Sequence, residues 1–470
     1  MTIPVGPVIY NLFPRLVGPV AFWQEHLARI AGLGFSWVYV NPFHYPGFSG
    51  SLYAIKDHYR LNPLMDDGTG RSAGRQIADF VADAERLGLA VMMDLVINHT
   101  AKDCLLVEAH PEWYRRDDEG GLLSPGAIDP ADSRKVTIWG DLAELDFSPR
   151  LIRRDMIEYF SAVATYYAGL GVRGFRCDAA YKVPAEVWAE IIEAVREIQP
   201  DALFVAETVG CRLADAEQLR PAGFDYLLNS SKWSNLRDPW LLDQYHGFRS
   251  VAPSISFPES HDTGRLAAEA PAGVDPAVLC RQRYAFAAVF ASGVLMPVGF
   301  EFGFRRKLDV VASSPADWER PSADLTGFVA AWNRLRTLWP GFAVEGAQRL
   351  VTFAERDVVG LVRHAGWMPD AGSGADWCLT LVNLDLTRPR ALELDGVPEL
   401  EAAGEAVEIT PDRQPDPIPT GAGLILRPGE VRVLLSPAAT GAGWLATGCG
   451  RTVRSLTTGY EVGLPAGPGC

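Results

Sequence analysis

Eight short apolar runs of strand type alternate with amphipathic helical segments between Pro7 and Leu338, and this alternation constrains the fold more than any other feature. The runs are Pro7–Asn11, Trp37–Asn41, Ala90–Val96, Gly174–Cys177, Leu203–Ala206, Tyr226–Asn229, Ile255–Phe257 and Val294–Val298. Between them, segments such as Ala21–Ala31, Arg75–Leu87, Leu151–Leu170 and Glu186–Ile198 repeat apolar residues at intervals of three and four, the helical period. Strands separated by helices pair in parallel, and eight such units close into a (β/α)8 TIM barrel, for which about 250 residues suffice.

Two intervals depart from that rhythm. About fifty residues separate Asn98 from the helix at Leu151, far beyond an ordinary strand-to-helix loop, so an inserted subdomain is expected after strand three. Beyond Leu338 the pattern turns to short β-type runs divided by turn residues, including Arg349–Phe353, Val358–Arg363, Trp377–Asn383 and Val431–Leu435, as in an antiparallel β-sandwich. The expected plan is therefore a barrel over 1–98 and 149–338, an insertion over 99–148 and a sandwich over 339–437. A Gly-, Thr- and Pro-rich tail over 438–470 lacks periodicity and is expected to be poorly ordered.

The formal charge of −15 disfavours nucleic acid and anionic membranes as partners, since both reward basic patches. No stretch approaches the roughly 20 apolar residues of a membrane span, and the opening residues show no basic, apolar leader, so a cytoplasmic location is expected. Seven scattered cysteines, without Cys-x-x-Cys spacing, suggest neither a disulfide framework nor a zinc site.

Polar chemistry concentrates at the C-terminal tips of the strands, where barrels of this kind build their active sites. Four segments stand out: Asp94-Leu95-Val96-Ile97-Asn98-His99, Gly174-Phe175-Arg176-Cys177-Asp178, Phe204-Val205-Ala206-Glu207 and Phe257-Pro258-Glu259-Ser260-His261-Asp262. In this order and spacing they resemble the α-amylase superfamily of retaining α-glycosidases and transglycosidases, glycoside hydrolase family 13. The resemblance extends over the barrel, the insertion and the sandwich, to about Pro437.

Retention at an α-glycosidic bond needs one carboxylate that attacks the anomeric carbon and one carboxylic acid that protonates the leaving oxygen. Asp178 and Glu207 end neighbouring strands and suit these roles, with Arg176 on the same side as Asp178 and able to hold it ionised. Asp262 would stabilise the oxocarbenium-like transition state, and the resemblance implies that these three form the catalytic triad. It also implies that His99 and His261 hydrogen-bond the sugar and that Tyr53 stacks on it, while Asp94 fixes Arg176 and the strand ends. Asn98 matches a calcium-ligating position of many amylases, but no Asp/Asn-rich companion loop accompanies it. No cofactor is therefore expected to be required, and calcium is the one candidate.

Some segments depart from the family pattern. Ser260 precedes His261-Asp262 where asparagine is common, and Ala179-Ala180-Tyr181-Lys182 lengthens the stretch after the nucleophile, which leaves Lys182 without a subsite assignment. Ala143-Glu144-Leu145-Asp146 replaces motifs that sort subfamilies, whereas His110-Pro111-Glu112-Trp113-Tyr114 is similar to a segment of maltosyltransferases that extend α-1,4-glucans from maltose 1-phosphate. The expected activity is hydrolysis or transfer on α-linked glucans or oligosaccharides. Maltosyl transfer from maltose 1-phosphate and non-catalytic glucan binding are the alternatives; the oligomeric state is open.

Overall fold

The computed structural model describes residues 6–129, 132–365 and 376–441, and the expected tail beyond 441 lies outside the described residues. The chain divides into two compact units, one of residues 1–333 with 342–345, the other of residues 334–341 with 346–470.

The first unit is a closed barrel of eight parallel strands: β1 (Val8–Leu12), β2 (Trp37–Val40), β3 (Ala90–Leu95), β4 (Gly174–Cys177), β5 (Leu203–Ala206), β6 (Tyr226–Leu228), β7 (Ser254–Ser256) and β8 (Gly293–Pro297). Each pairs with its neighbours in sequence, and β8 returns to β1 with Val8 opposite Val294. Ile9, Tyr39, Met92, Val205, Leu228, Ile255 and Leu295 form a shared core cluster to which every strand but β4 contributes. Both faces of β1 and β8 are buried, which is why these strands read as unbroken apolar runs instead of alternating ones. Helices such as Ala73–Arg86 cover the outside. That helix starts where the Ser72 side chain accepts a hydrogen bond from the Arg75 N–H, and it buries Ile77, Phe80, Val81 and Ala84 on one stripe.

Strand ends differ from the sequence reading by about one residue; the seventh spans Ser254–Ser256 instead of Ile255–Phe257, because inter-strand hydrogen bonding, and not the apolar run itself, sets the limit. Two excursions rise from the C-terminal ends of the strands. After β3, His99–Ala101 pairs antiparallel with Leu142–Glu144, and Gly126–Asp129 pairs with Asp132–Ile138. The His110-Pro111-Glu112-Trp113-Tyr114 segment belongs to this excursion: His110 stacks on Trp113 at 4.1 Å, and Trp113 packs edge-on against Tyr159 of helix Arg150–Gly169. After β2, His44–Pro46 pairs with Ile55–Leu61 through two register irregularities. Those irregularities break the alternation by which this hairpin could have been recognised in sequence.

The second unit holds a six-stranded antiparallel sheet that includes Gln348–Thr352, Val358–His364, Trp377–Asn383 and Val431–Leu435, together with a two-stranded sheet of Arg390–Glu393 and Gly423–Leu426. Trp377, Leu379 and Leu434 from the larger sheet and Leu392, Leu424 and Leu426 from the smaller share one core. Among the described residues no helix is long and apolar enough to cross a membrane.

The barrel interior tests the assignment of the strands. Ile255 is fully buried in the shared layer, so Ile255→Ala is expected to destabilise the chain by about 2–5 kcal/mol through lost transfer energy and a cavity. Equilibrium denaturation measures this, and a change under about 0.5 kcal/mol, the range of surface substitutions, would contradict the placement.

Candidate active site

A cavity of about 670 Å³ opens at the C-terminal ends of the barrel strands. Asp178, Glu207, Asp262, Arg176, Tyr53, His99, His261 and Asn98 all line it; Asp94 lies beneath, fully buried. The residues singled out in sequence are thus brought together in one place.

The β4 tip supplies Arg176 and Asp178 from alternate positions, so both side chains leave the strand on the same side. The Arg176 Nη1 donates to Asp94 Oδ1 at 2.8 Å and to Asp178 Oδ1 at 2.6 Å, while Nη2 lies 4.0 Å from Glu207 Oε2. Burial works against the guanidinium charge, but Asp94, the phenols of Tyr39 and Tyr53, and Asp178 outweigh it and hold Arg176 protonated far above its ordinary range.

A polar scaffold fixes the far side of Asp94. The hydroxyls of Tyr39 and Tyr53 both donate to Asp94 Oδ2, Tyr53 at 2.7 Å, and Asn41 Nδ2 donates to each of these hydroxyls at 3.1 Å. Tyr53 also stacks on His261 with ring planes 10° apart, and His261 Nε2 lies 2.8 Å from the Tyr53 hydroxyl and 3.1 Å from Asp262 Oδ2. His99 Nε2 meets the Tyr53 carbonyl at 3.2 Å. This leaves Nδ1 of both histidines and Oδ1 of Asn98 buried without a protein partner, in residues that line the cavity. Buried polar atoms of this kind favour a ligand rich in hydroxyls.

Glu207 follows β5 and is held by main chain. Its Oε1 accepts the Val209 N–H at 2.7 Å and its Oε2 accepts the Ala179 N–H at 3.0 Å. Ala179 reaches that position in a left-handed conformation, φ +40°, just after Asp178, a geometry that costs a non-glycine residue about 1–3 kcal/mol and is tolerated where function demands it. Burial raises the Glu207 carboxyl to about 7; Arg176 and the Val209 N–H oppose the rise, and the charges of Asp178 and Asp262 add to it. Asp262, at the open mouth with a side chain 64% exposed, behaves in the opposite way. The surrounding walls push it up, yet His261, Arg176 and Lys307 bring it down to about 2.

Several residues at or beside the pocket receive no role from the sequence. Tyr39 and Asn41 sit at the tip of strand β2 and satisfy the same strand-end rule that identified the others. Lys182 donates to the Gly126 carbonyl and lies 5.1 Å over the Trp139 ring, joining the β4 loop to the excursion after β3. Lys232, buried against Glu269, and the exposed Trp233 line the cavity from the loop after β6.

Asn98, the calcium candidate, lines the cavity with its Oδ1 lacking a protein partner, and among the described residues no group of three or more His, Cys, Asp or Glu is placed to hold a metal.

Comparison with known proteins adds an independent line. A family model described as the glucanotransferase domain of glycogen debranching enzyme matches residues 6–119. The alpha-1,4-glucan:maltose-1-phosphate maltosyltransferase of Burkholderia pseudomallei is 29% identical over 407 residues, covering 84% of this chain and 34% of that protein. The alpha-amylase MalA of Haloarcula japonica is 25% identical, covering 74% of this chain and 51% of that protein. The chain spans 34–40% of the length of the maltosyltransferases first matched. Among solved structures, an alpha-amylase from Lactobacillus plantarum shares the fold with a TM-score of 0.69 at 22% identity, covering 91% of this chain and 98% of that one.

The like-charge contribution to Glu207 is open to direct measurement. Asp178→Asn removes a charge that raises the Glu207 carboxyl, so its titration midpoint is expected to fall below about 7, read by carbon NMR of labelled glutamate. An unchanged or higher midpoint would show that the two carboxyls are not coupled.

Proposed function

We propose that this chain, a member of the α-amylase superfamily near its maltosyltransferase branch, is a retaining enzyme that hydrolyses or transfers α-linked glucosyl units of glucans or oligosaccharides. The observation that carries the reading is one guanidinium, Arg176, bonded to Asp178 and lying 4.0 Å from Glu207, in a pocket that pushes Glu207 up to about 7. Arg176 pairs with one carboxyl, Asp178, while its neighbour Glu207 can hold a proton near neutral pH, which suits the acid of a double displacement.

In the first step the Asp178 carboxylate attacks the anomeric carbon as the bond to the leaving oxygen breaks. Glu207 hands its proton to that oxygen, and a glycosyl ester on Asp178 remains. In the second step Glu207, now ionised, takes a proton from water or from an acceptor hydroxyl, whose oxygen attacks the same carbon and releases Asp178. Each step inverts the carbon, so the product keeps the α-configuration. Asp262, ionised well below neutral pH, faces the positive charge that develops on the ring. His99, His261 and Asn98 offer their unpartnered atoms to sugar hydroxyls, and Tyr53 braces His261.

Water and sugar acceptors compete for the same intermediate, so hydrolysis and transfer belong to one mechanism. Identity to the Burkholderia pseudomallei maltosyltransferase supports a second reading, in which the donor is maltose 1-phosphate. The proposed setting is the cytoplasm, supported by five free cysteines among the described residues, a usage suited to a reducing compartment.

Proton NMR of the anomeric region during incubation with maltoheptaose, alone and with maltose 1-phosphate, tests both readings. New α-anomeric reducing ends or a redistributed ladder are expected, and loss of maltose 1-phosphate with chain growth would select the second. First-formed β-anomers would contradict the mechanism, as would turnover by Asp178→Asn equal to that of the unaltered protein.

A further inference from the structure

On one side of the barrel mouth, hydrogen bonds to main-chain carbonyls join the loops after β2 and β8. Arg15 lies in the short helix Pro14–Val17 just past β1, which sits between β2 and β8. Its Nε donates to the Ser313 carbonyl at 2.9 Å, in the segment after β8, and its Nη1 donates to the Gly50 carbonyl at 3.0 Å, in the turn of the hairpin after β2. Two residues beyond Gly50, the Leu52 N–H donates to the Val310 carbonyl at 3.1 Å. The segment after β8 is itself stiff: Asp309 Oδ1 accepts the N–H groups of Val311 and Ala312 at 2.8 Å, and the Asp309 N–H donates to Ser313 Oγ at 2.9 Å. Ser51 and Val310, at the junction, line the cavity.

Barrel order gives this closure its meaning. In a ring of eight strands β1 lies opposite β5, and Glu207 stands at the tip of β5. A group that protonates the leaving oxygen lies on the leaving-group side, so the departing part of a glucan extends towards β4, β5 and β6, where Tyr181, Val209 and Trp233 line the cavity. The part to be transferred must extend the opposite way, into the quadrant of β8, β1 and β2. In an α-1,4-glucan that part carries the non-reducing end.

We infer that the donor side of this site is blind-ended, so that it takes only the non-reducing end of a glucan and removes or transfers a unit of fixed length from it. Arg15 acts as a specificity-determining residue, by joining the two loops whose meeting forms the end wall. The inference rests on the glucan reading above, and on the Arg15 staple for the direction of action.

The test compares two forms of maltoheptaose, both fluorescently labelled at the reducing end, one of them blocked at the non-reducing glucose by a 4,6-O-ethylidene group. With the unblocked form, one labelled fragment length is expected to predominate at early times. The added group meets a closed wall, as in overpacking of a filled site, so the blocked form is expected to react roughly 10- to 100-fold more slowly. Arg15→Ala removes the staple and leaves every cavity-lining side chain in place; it is expected to raise turnover of the blocked form by roughly tenfold and to broaden the fragment lengths. Equal rates on the two forms with a spread of fragments from the unaltered protein would overturn the blind end while upholding the glucan reading. Turnover of neither form, alone or with inorganic phosphate or maltose 1-phosphate present, would overturn the glucan reading, and this inference with it. Should Arg15→Ala fail to fold, the comparison on the unaltered protein decides alone.

Discussion

The Arg176 guanidinium is the charge around which the barrel mouth is arranged. It is almost fully buried, as is Asp94, and a buried ion is costly unless it is paired and its remaining hydrogen bonds are made. Asp94 is satisfied by Arg176 and two phenols, and Asn41 in turn supports those phenols. Removing one partner of such a pair typically costs about 3–5 kcal/mol, because the other charge is left uncompensated. A structure that accepts this risk in its core obtains a fixed cation against which Asp178 is held.

That fixed cation meets the two carboxyls unequally. Asp178 bonds Arg176 directly at 2.6 Å, whereas Glu207 stands 4.0 Å from the guanidinium, and burial is the largest influence on the Glu207 titration. The left-handed turn at Ala179 belongs to the same arrangement, since it aims one N–H at Glu207 while the adjacent Ala180 N–H donates to the Glu207 carbonyl. A strained residue between the two carboxyls thereby sets their relative position through main chain, and main chain is stiffer than any side-chain contact could be.

Much of this was legible in the sequence because the chemistry is attached to regular elements. The strand-end rule alone places Asp178, Glu207, Asp262 and Asp94 at one face, and the apolar runs of β4 and β5 coincide with the strands. The hairpin after β2 was not legible, since its pairing is short and interrupted, and Tyr53 was found only by resemblance. The Arg15 staple was equally hidden. It joins carbonyls from two loops distant in sequence, and carbonyls leave no mark on residue identity. Lys182 was visible but could not be given a role, because its partner is again a carbonyl, that of Gly126.

The account stands on Asp178 as the atom donor to a covalent intermediate. The most direct measurement is mass spectrometry of peptides from Glu207→Gln protein incubated with a 5-fluoro-α-glucosyl or 5-fluoro-α-maltosyl fluoride, a donor whose fluoride leaves without acid assistance. The account predicts a stoichiometric glycosyl adduct on the peptide containing Asp178, and none in protein that also carries Asp178→Asn. An adduct on any other residue, or turnover of the donor to a β-product with no adduct formed, would contradict it.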